Sequence, residues 1–457
     1  VNYAQFVNRK LSLVPPTGLS EVPAMPEYLF PHQAALVSWA LRRGRCAIFA
    51  DTGLGKTRME LQWAKATNRD ALILAPLAVA EQTVREGEAL GIEVTHIRDD
   101  SDHRPGLNIV NYERLHKIDP KRYGSVVLDE SSIIKHHDSK TLRILMESFR
   151  STPFKLCATA TPAPNDWTEL GTHAEFLGIC TRSEMLSEYF IHDGAETQIW
   201  RLKGHAKHEF WRWVSSWGAM VRWPSDLGYD DAAYRLPKLE VLEHIVETIG
   251  ADTNGALFRL EALTLSDRRA ARKESMSERV QACAAMVNAD KQPWVVWCDL
   301  NAESDALTAA IDGAVEVRGS QSVEEKETAL QEFAQGKHRV IVTKPSIAGH
   351  GLNWQHCALM AFVGVTDSYE AYYQAIRRCW RFGQKRPVKV HIFASQAEGA
   401  VVANLRRKES DAAEMSAALS AETREAVRVN VLGMTRQTNP YEARKPVEAP
   451  AWLRSVK

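Results

Sequence analysis

The chain has 457 residues, 45% hydrophobic and 25% charged, and its 57 basic and 57 acidic side chains cancel. This is ordinary globular usage, so a mainly disordered chain is excluded, and at roughly 150 residues per domain two or three cores are expected. Zero net charge excludes a protein coated in positive charge but leaves room for a local basic groove that binds nucleic acid.

Residues 1–28, with Pro15, Pro16, Pro23 and Pro26, show little periodicity and read as an arm. From Leu29 onward, short apolar runs alternate with helix-favouring segments: CAIFA at 46–50, ALILA at 71–75, LNIVN at 107–111, SVVLD at 125–129 and KLCATA at 155–160. Near-continuous apolar runs of this length suit strands buried on both faces of a parallel sheet, which predicts an α/β domain. Residues 183–288 break the rhythm and read as a helical insert and connector, with five tryptophans between Trp200 and Trp223. A second alternating block starts at PWVVWCD (293–299) and runs through AVEVRG, RVIVTK, LMAFVG and VKVHIF; a charged, helix-favouring tail begins at Val401. The expected fold class is therefore α/β, with two parallel-sheet lobes, a helical insert between them and a helical tail.

The seven cysteines form no C-x-x-C pair, and Cys46, Cys157 and Cys298 lie in apolar runs. They read as buried thiols of a reducing compartment, not as a disulfide frame or zinc site. No apolar stretch reaches the ~18 residues that span a membrane, and the start lacks a signal-peptide pattern, so a cytoplasmic location is expected.

Residues 50–57 read ADTGLGKT, between an apolar run and a helix-favouring one. That is the context of a phosphate loop. Thr52, Gly53, Leu54 and Gly55 would form the curl that points backbone N–H groups at phosphate oxygens. The following helix adds its positive end. Lys56 would reach the β- and γ-phosphates of ATP, and Thr57 would hold Mg²⁺ through its hydroxyl. Ala50 stands where the general phosphate-loop pattern has glycine. In SVVLDESS (125–132), two carboxylates end a buried strand. Asp129 would hold the Mg²⁺ shell and Glu130 would accept a proton from the attacking water.

These residues resemble motifs I and II of superfamily 2 helicases, whose motif I usually begins with Ala, and the similarity is strongest to the Swi/Snf-like branch. LFPHQAALVSWAL (29–41) resembles the entry motif, ALILAPLAVAEQTVREGEAL (71–90) motif Ia, LNIVNYERL (107–115) motif Ib and ATATPAPN (158–165) motif III. VTKPSIAGHGLN (342–353) resembles motif V, and QAIRRCWRFGQKRPV (374–388) motif VI. The D-E-S-S form and the compact length resemble phage or prophage members, which would place the protein in a bacterial or phage-infected cytoplasm. Ser131–Ser132 stands where the family usually has A-H.

The resemblance implies two RecA-like lobes, an ATP-binding one at 29–182 and a helicase C-terminal one at 289–400, followed by the tail at 401–457. It implies that Gln33 reads the adenine, that Gly351 lies at the nucleotide, and that Arg381 and Arg378 are the arginine fingers. Pro76, Asn111, Thr343, Lys344 and Asn353 would contact nucleic-acid phosphates, which positions a strand without reading its sequence. The implied activity is ATP hydrolysis during movement on nucleic acid, with duplex DNA the expected track. An RNA-dependent ATPase of the same superfamily and a non-hydrolysing nucleic-acid-binding scaffold are the rival readings. The scaffold's usual sign is loss of Lys56, Glu130 or Arg381, and all three are present. The tryptophans of EFWRWVSSWGAMVRW (209–223) read as core, with Trp211, Trp217 and Met220 on a common stripe. Asp230–Asp231 reads as a solvated loop and His136–His137 as surface.

Overall fold

The computed structural model describes residues 14–76, 79–163, 166–192, 200–246, 272–348, 353–364 and 368–395, together with scattered tail residues between 403 and 432. In the first half lie β1 (Arg45–Ala50), β2 (Ala71–Ala75), β3 (Val94–His96), β4 (Leu107–Asn111), β5 (Ser125–Asp129) and β6 (Phe154–Ala158). The short strands β7 (Phe190–His192) and β8 (Trp200–Leu202) form an antiparallel hairpin, and β9 (Gly218–Val221) follows. The second half contributes β10 (Leu239–Val246), β11 (Trp294–Trp297), β12 (Ala314–Val317), β13 (Val340–Thr343), β14 (Leu359–Phe362) and β15 (Val388–Ser395).

Two parallel sheets result. The first has the order β3-β4-β2-β5-β6-β1-β9, the second β10-β15-β14-β11-β13-β12. The fold is thus α/β with two parallel-sheet lobes, consistent with two RecA-like lobes. Successive side chains in β1 leave on opposite faces, as strand geometry requires. Ala47 and Phe49 enter one core with Leu72 and Leu74, whereas Cys46, Ile48 and Ala50 enter another with Ile73 and Leu156. Helices cover both faces, and this is why the strand sequences carry no polar alternation.

The first sheet extends beyond residue 182, where the sequence placed the end of the first lobe. β9 pairs with β1 in register Ala47↔Gly218. The second sheet likewise begins earlier than 289, since β10 pairs with β15 along its full length. Pairing between strands this distant in sequence leaves no local periodic signal. The tryptophan-rich segment is core, as expected: Trp211 and Trp217 are buried against Phe210 and Val214. Only Trp211 lies on the helix Lys207–Ser215; Trp217 follows it and Met220 sits in β9, so the three share a core without sharing a helical stripe.

The tail touches both lobes. Arg406 pairs with Glu243 of β10 at 2.6 Å. Farther on, Arg424 pairs with Asp226 at 3.0 Å, and Val427 and Val431 are buried in the first lobe's core beside Val221 and Leu227. None of the seven cysteines is disulfide-bonded, and Cys46, Cys157 and Cys298 are buried. No helix of the described residues is long and apolar enough to cross a membrane. Asp230, His136 and His137 are exposed.

Candidate functional site

The carboxyl ends of β1 and β5 meet the start of the helix Lys56–Ala66. Between β1 and this helix the chain reverses through Gly53 (φ +91°) and Gly55 (φ +81°), both in the left-handed region. A Cβ on Gly55 would sit 2.2 Å from Gln33 Nε2, so the loop can curl here only because residue 55 is glycine. Gln33 is buried in the helix Pro31–Arg43. Its Nε2 donates to Leu54 O at 2.8 Å and its Oε1 accepts from Phe30 N at 3.0 Å. Gln33 therefore braces the loop. Lys56 Nζ donates to Ala50 O at 3.1 Å.

Asp129 ends β5, buried, with its carbonyl accepting from Tyr112 Oη at 2.8 Å. Burial and then the neighbouring Glu130 charge raise its carboxyl well above the usual range. Glu130 adopts φ 50°, ψ 52°, a left-handed conformation rare for a residue with a side chain. Such strain is found where surrounding structure over-determines a functional residue. The loop, Lys56, the Thr57 hydroxyl at a helix N-terminus and the Asp129 carboxylate form a donor set that fits a nucleotide's phosphates with a divalent cation.

Sequence reasoning missed Glu60. It sits one helical turn beyond Lys56, is 1% exposed, and neither carboxylate oxygen finds a hydrogen-bond partner. Burial, then the charge of Asp129, pushes its carboxyl well upward, while Lys56 opposes the shift. Its placement between Met59 and Leu61, both buried, was the available signal. After the acidic pair, Ser131 Oγ lies 3.1 Å from His173 Nε2, wholly buried.

The second lobe faces this site with the helix Tyr369–Ile376 and the segment after it. Arg378 is buried and its Nε donates to Gln374 O at 2.9 Å. Burial, then the Arg381 guanidinium, pushes Arg378 down to about 10, and Glu130 opposes this. Arg381 is likewise lowered by burial, against the charges of Glu86 and Glu130. Both arginines thus lie within the field of Glu130, from the other lobe. Arg381 also lines a cleft of about 410 Å³ with Glu86 and Asn353, between the helices Ala80–Ala89 and Val323–Ala334. Arg377, beside the two arginines expected as fingers, makes the direct contact with the phosphate loop: Nη2 reaches Asp51 Oδ1 at 2.9 Å and Thr52 O at 3.1 Å.

The remaining candidates are dispersed. Asn111 is buried at the end of β4 with Nδ2 unpaired. Thr343 is fully buried, and its hydroxyl donates to Val317 O at 3.0 Å. Pro76 and Lys344 are half-buried at the ends of β2 and β13. Gly351 lies outside the described residues. The described residues hold no group of three His, Cys, Asp or Glu side chains placed for a metal ion.

Residues 279–383 match the model of the helicase conserved C-terminal domain. Comparison with curated proteins returns no match. The matched stretch begins in the helix Met276–Ala289 and includes Arg377, Arg378 and Arg381. It supports a superfamily 1 or 2 helicase-type protein, a kind that generally uses ATP and binds nucleic acid.

Proposed function

We propose that the chain is an ATP-dependent translocase of the Swi/Snf-like superfamily 2 type, in the compact form of phage and prophage members, moving on duplex DNA. The observation that carries this reading is the convergence of Lys56, Asp129 and Glu130 from one lobe with Arg378 and Arg381 from the other. ATP bound here with Mg²⁺ supplies the transferable phosphoryl group. The curl at Gly53 and Gly55 and the helix N-terminus would hold its phosphates, with Lys56 as the cation that balances them. Thr57 and Asp129 would hold the Mg²⁺.

Glu130 orients an attacking water and takes its proton. Its strained backbone fixes the direction of the carboxylate. Arg378 and Arg381 stabilise negative charge that develops during transfer, a contribution worth roughly 10³–10⁵ in rate in related chemistry. Both sit on the second lobe, so turnover depends on lobe closure, and loss of the bound charge releases the lobes to shift. Asn111, Lys344, Asn353 and Pro76 remain the proposed contacts to backbone phosphates. Thr343 could contribute there only through its main chain.

Phosphate release tests this, measured without nucleic acid and then with single-stranded DNA, duplex DNA and RNA. Stimulation by duplex DNA that disappears in Lys56→Ala is the expected result. Stimulation by RNA alone would move the assignment to an RNA-dependent ATPase. Tight ATP binding without turnover under every condition would overturn it in favour of a scaffold.

A further inference from the structure

Three side chains on one face of the helix Tyr369–Ile376 and its C-terminal cap reach the phosphate-loop side of the first lobe. Glu370, Tyr373 and Arg377 follow each other at helical spacings of three and four, which stacks them on one face. Glu370 pairs with Lys135, beyond the acidic motif, and both are largely buried. Tyr373 Oη donates to Asp51 Oδ1 at 3.1 Å. Arg377 adds its bonds to Asp51 and to the Thr52 carbonyl and hydroxyl. Its guanidinium lies 5.4 Å from the Tyr373 ring centroid and 5.1 Å from that of Trp380, which hold it in place.

We infer that Arg377 is a positioning residue for phosphoryl transfer: its buried pair with Asp51 latches the second lobe onto the phosphate loop and thereby sets Arg378 and Arg381 against Glu130. The argument is electrostatic and geometric. The Arg377 side chain is 5% exposed and that of Asp51 25%. A guanidinium this buried between the closed lobes is tolerable only while Asp51 opposes it, so the closed arrangement and the ion pair stand or fall together. Asp51 precedes the loop's glycines and Arg377 immediately precedes Arg378, so a shift at the latch reaches the reacting region along one chain on each side. The inference rests on the motor reading for its consequence in turnover. The latch itself is a statement about lobe closure and is measurable without turnover.

The test uses the full chain with Cys180→Ser and spin labels at Arg143→Cys on the first lobe and Glu324→Cys on the second, both exposed positions. Electron–electron distance distributions are recorded without nucleotide and with a non-hydrolysable ATP analogue. Arg377→Gln is expected to lower the ratio of closed to open lobes by about 10²-fold, the scale of breaking a buried ion pair. Tyr373→Phe, which keeps the ring and loses one hydrogen bond, is expected to lower it about fivefold. Turnover falls in proportion, while nucleotide affinity stays within about threefold, because the first lobe holds the phosphates. Asp51→Asn with Arg377→Gln is expected to be no worse than the poorer single variant. An unchanged distance distribution in Arg377→Gln, additive effects in the double variant, or a loss of nucleotide affinity matching the loss of turnover would each overturn the latch. Absent turnover in the parent, with distances that still respond to Arg377→Gln, would sink the motor reading and leave the latch standing.

Discussion

Ser131 and His173 form a hydrogen bond with no access to water, joining the segment after the acidic pair to the helix Leu170–Leu177. The imidazole also lies edge-on to Phe49 of β1, 5.3 Å between ring centroids. Burial pushes His173 down to about 4. It is therefore neutral in the folded protein across the physiological range, and the acidic pair is tied to the sheet by an uncharged contact.

That shift has a definite sign in stability. The folded value lies below the ordinary 6.5, so the unfolded chain takes up a proton first as pH falls. The contribution is fully present above pH ~6.5 and is lost progressively toward pH ~4, a change of about 3 kcal/mol. Urea unfolding of the parent and His173→Asn between pH 7 and pH 4.5 checks this. The variant's deficit in unfolding free energy should shrink as pH falls; a constant deficit would contradict it.

Glu60 predicts the opposite slope. Its folded value is raised, so its stabilising share is present below the ordinary carboxyl range and is lost as pH rises toward the folded value. Glu60→Gln keeps the shape and removes the titration. Relative to the parent it should gain stability between pH 5 and pH 8, by about 1–3 kcal/mol. Urea unfolding of the parent and Glu60→Gln between pH 4.5 and pH 8 reads the result.

Glu130→Gly should uncouple stability from turnover. Glycine accepts the left-handed backbone that costs Glu130 strain, offset in part by greater freedom of the unfolded chain. The expected outcome is a melting temperature equal to or above the parent's, a net gain of up to about 1 kcal/mol, with phosphate release abolished. Glu130→Gln should abolish turnover as well, without the gain.

Gly55→Ala should act on the loop itself. The new Cβ meets Gln33 Nε2 and the backbone stays left-handed, so the loop must open or Gln33 must leave. A destabilisation of about 1–3 kcal/mol is expected, with a loss of nucleotide affinity measured by calorimetry. Gln33→Ala should restore part of the affinity in Gly55→Ala, since it removes the clashing amide.

What could be read in advance followed from local pattern. CAIFA, ALILA and SVVLD are apolar without alternation because helices cover both faces of their sheet, and that alone announced parallel strands. Lys56, Asp129 and Glu130 stood out because glycine spacing and a charged strand end are unusual in short stretches. β9 and β10 were not legible: they are short or half-exposed, and each belongs to a sheet only through a partner far away in sequence. Arg377 lay in the segment that resembles motif VI, beside Arg378 and Arg381. What distinguishes it is Asp51, more than three hundred residues earlier, and no local pattern expresses that pairing. Gln33 was expected at an adenine, and its amide is engaged by Leu54 and Phe30.

The tail gives the two lobes a second tether. The chain already joins them once, through the stretch between β9 and β10. With Arg406 anchored on β10 and Val427 and Val431 sunk into the first core, it joins them again from the far end. Two bodies held by one cord can swing through a wide arc. Held by two, they are limited to a short stroke about a shared axis, and force applied to one is delivered to the other. In the proposed motor such a restraint would give each cycle a stride of set length, and it makes the tail residues that reach the lobes, Arg406, Arg424, Val427 and Val431, part of the gearing.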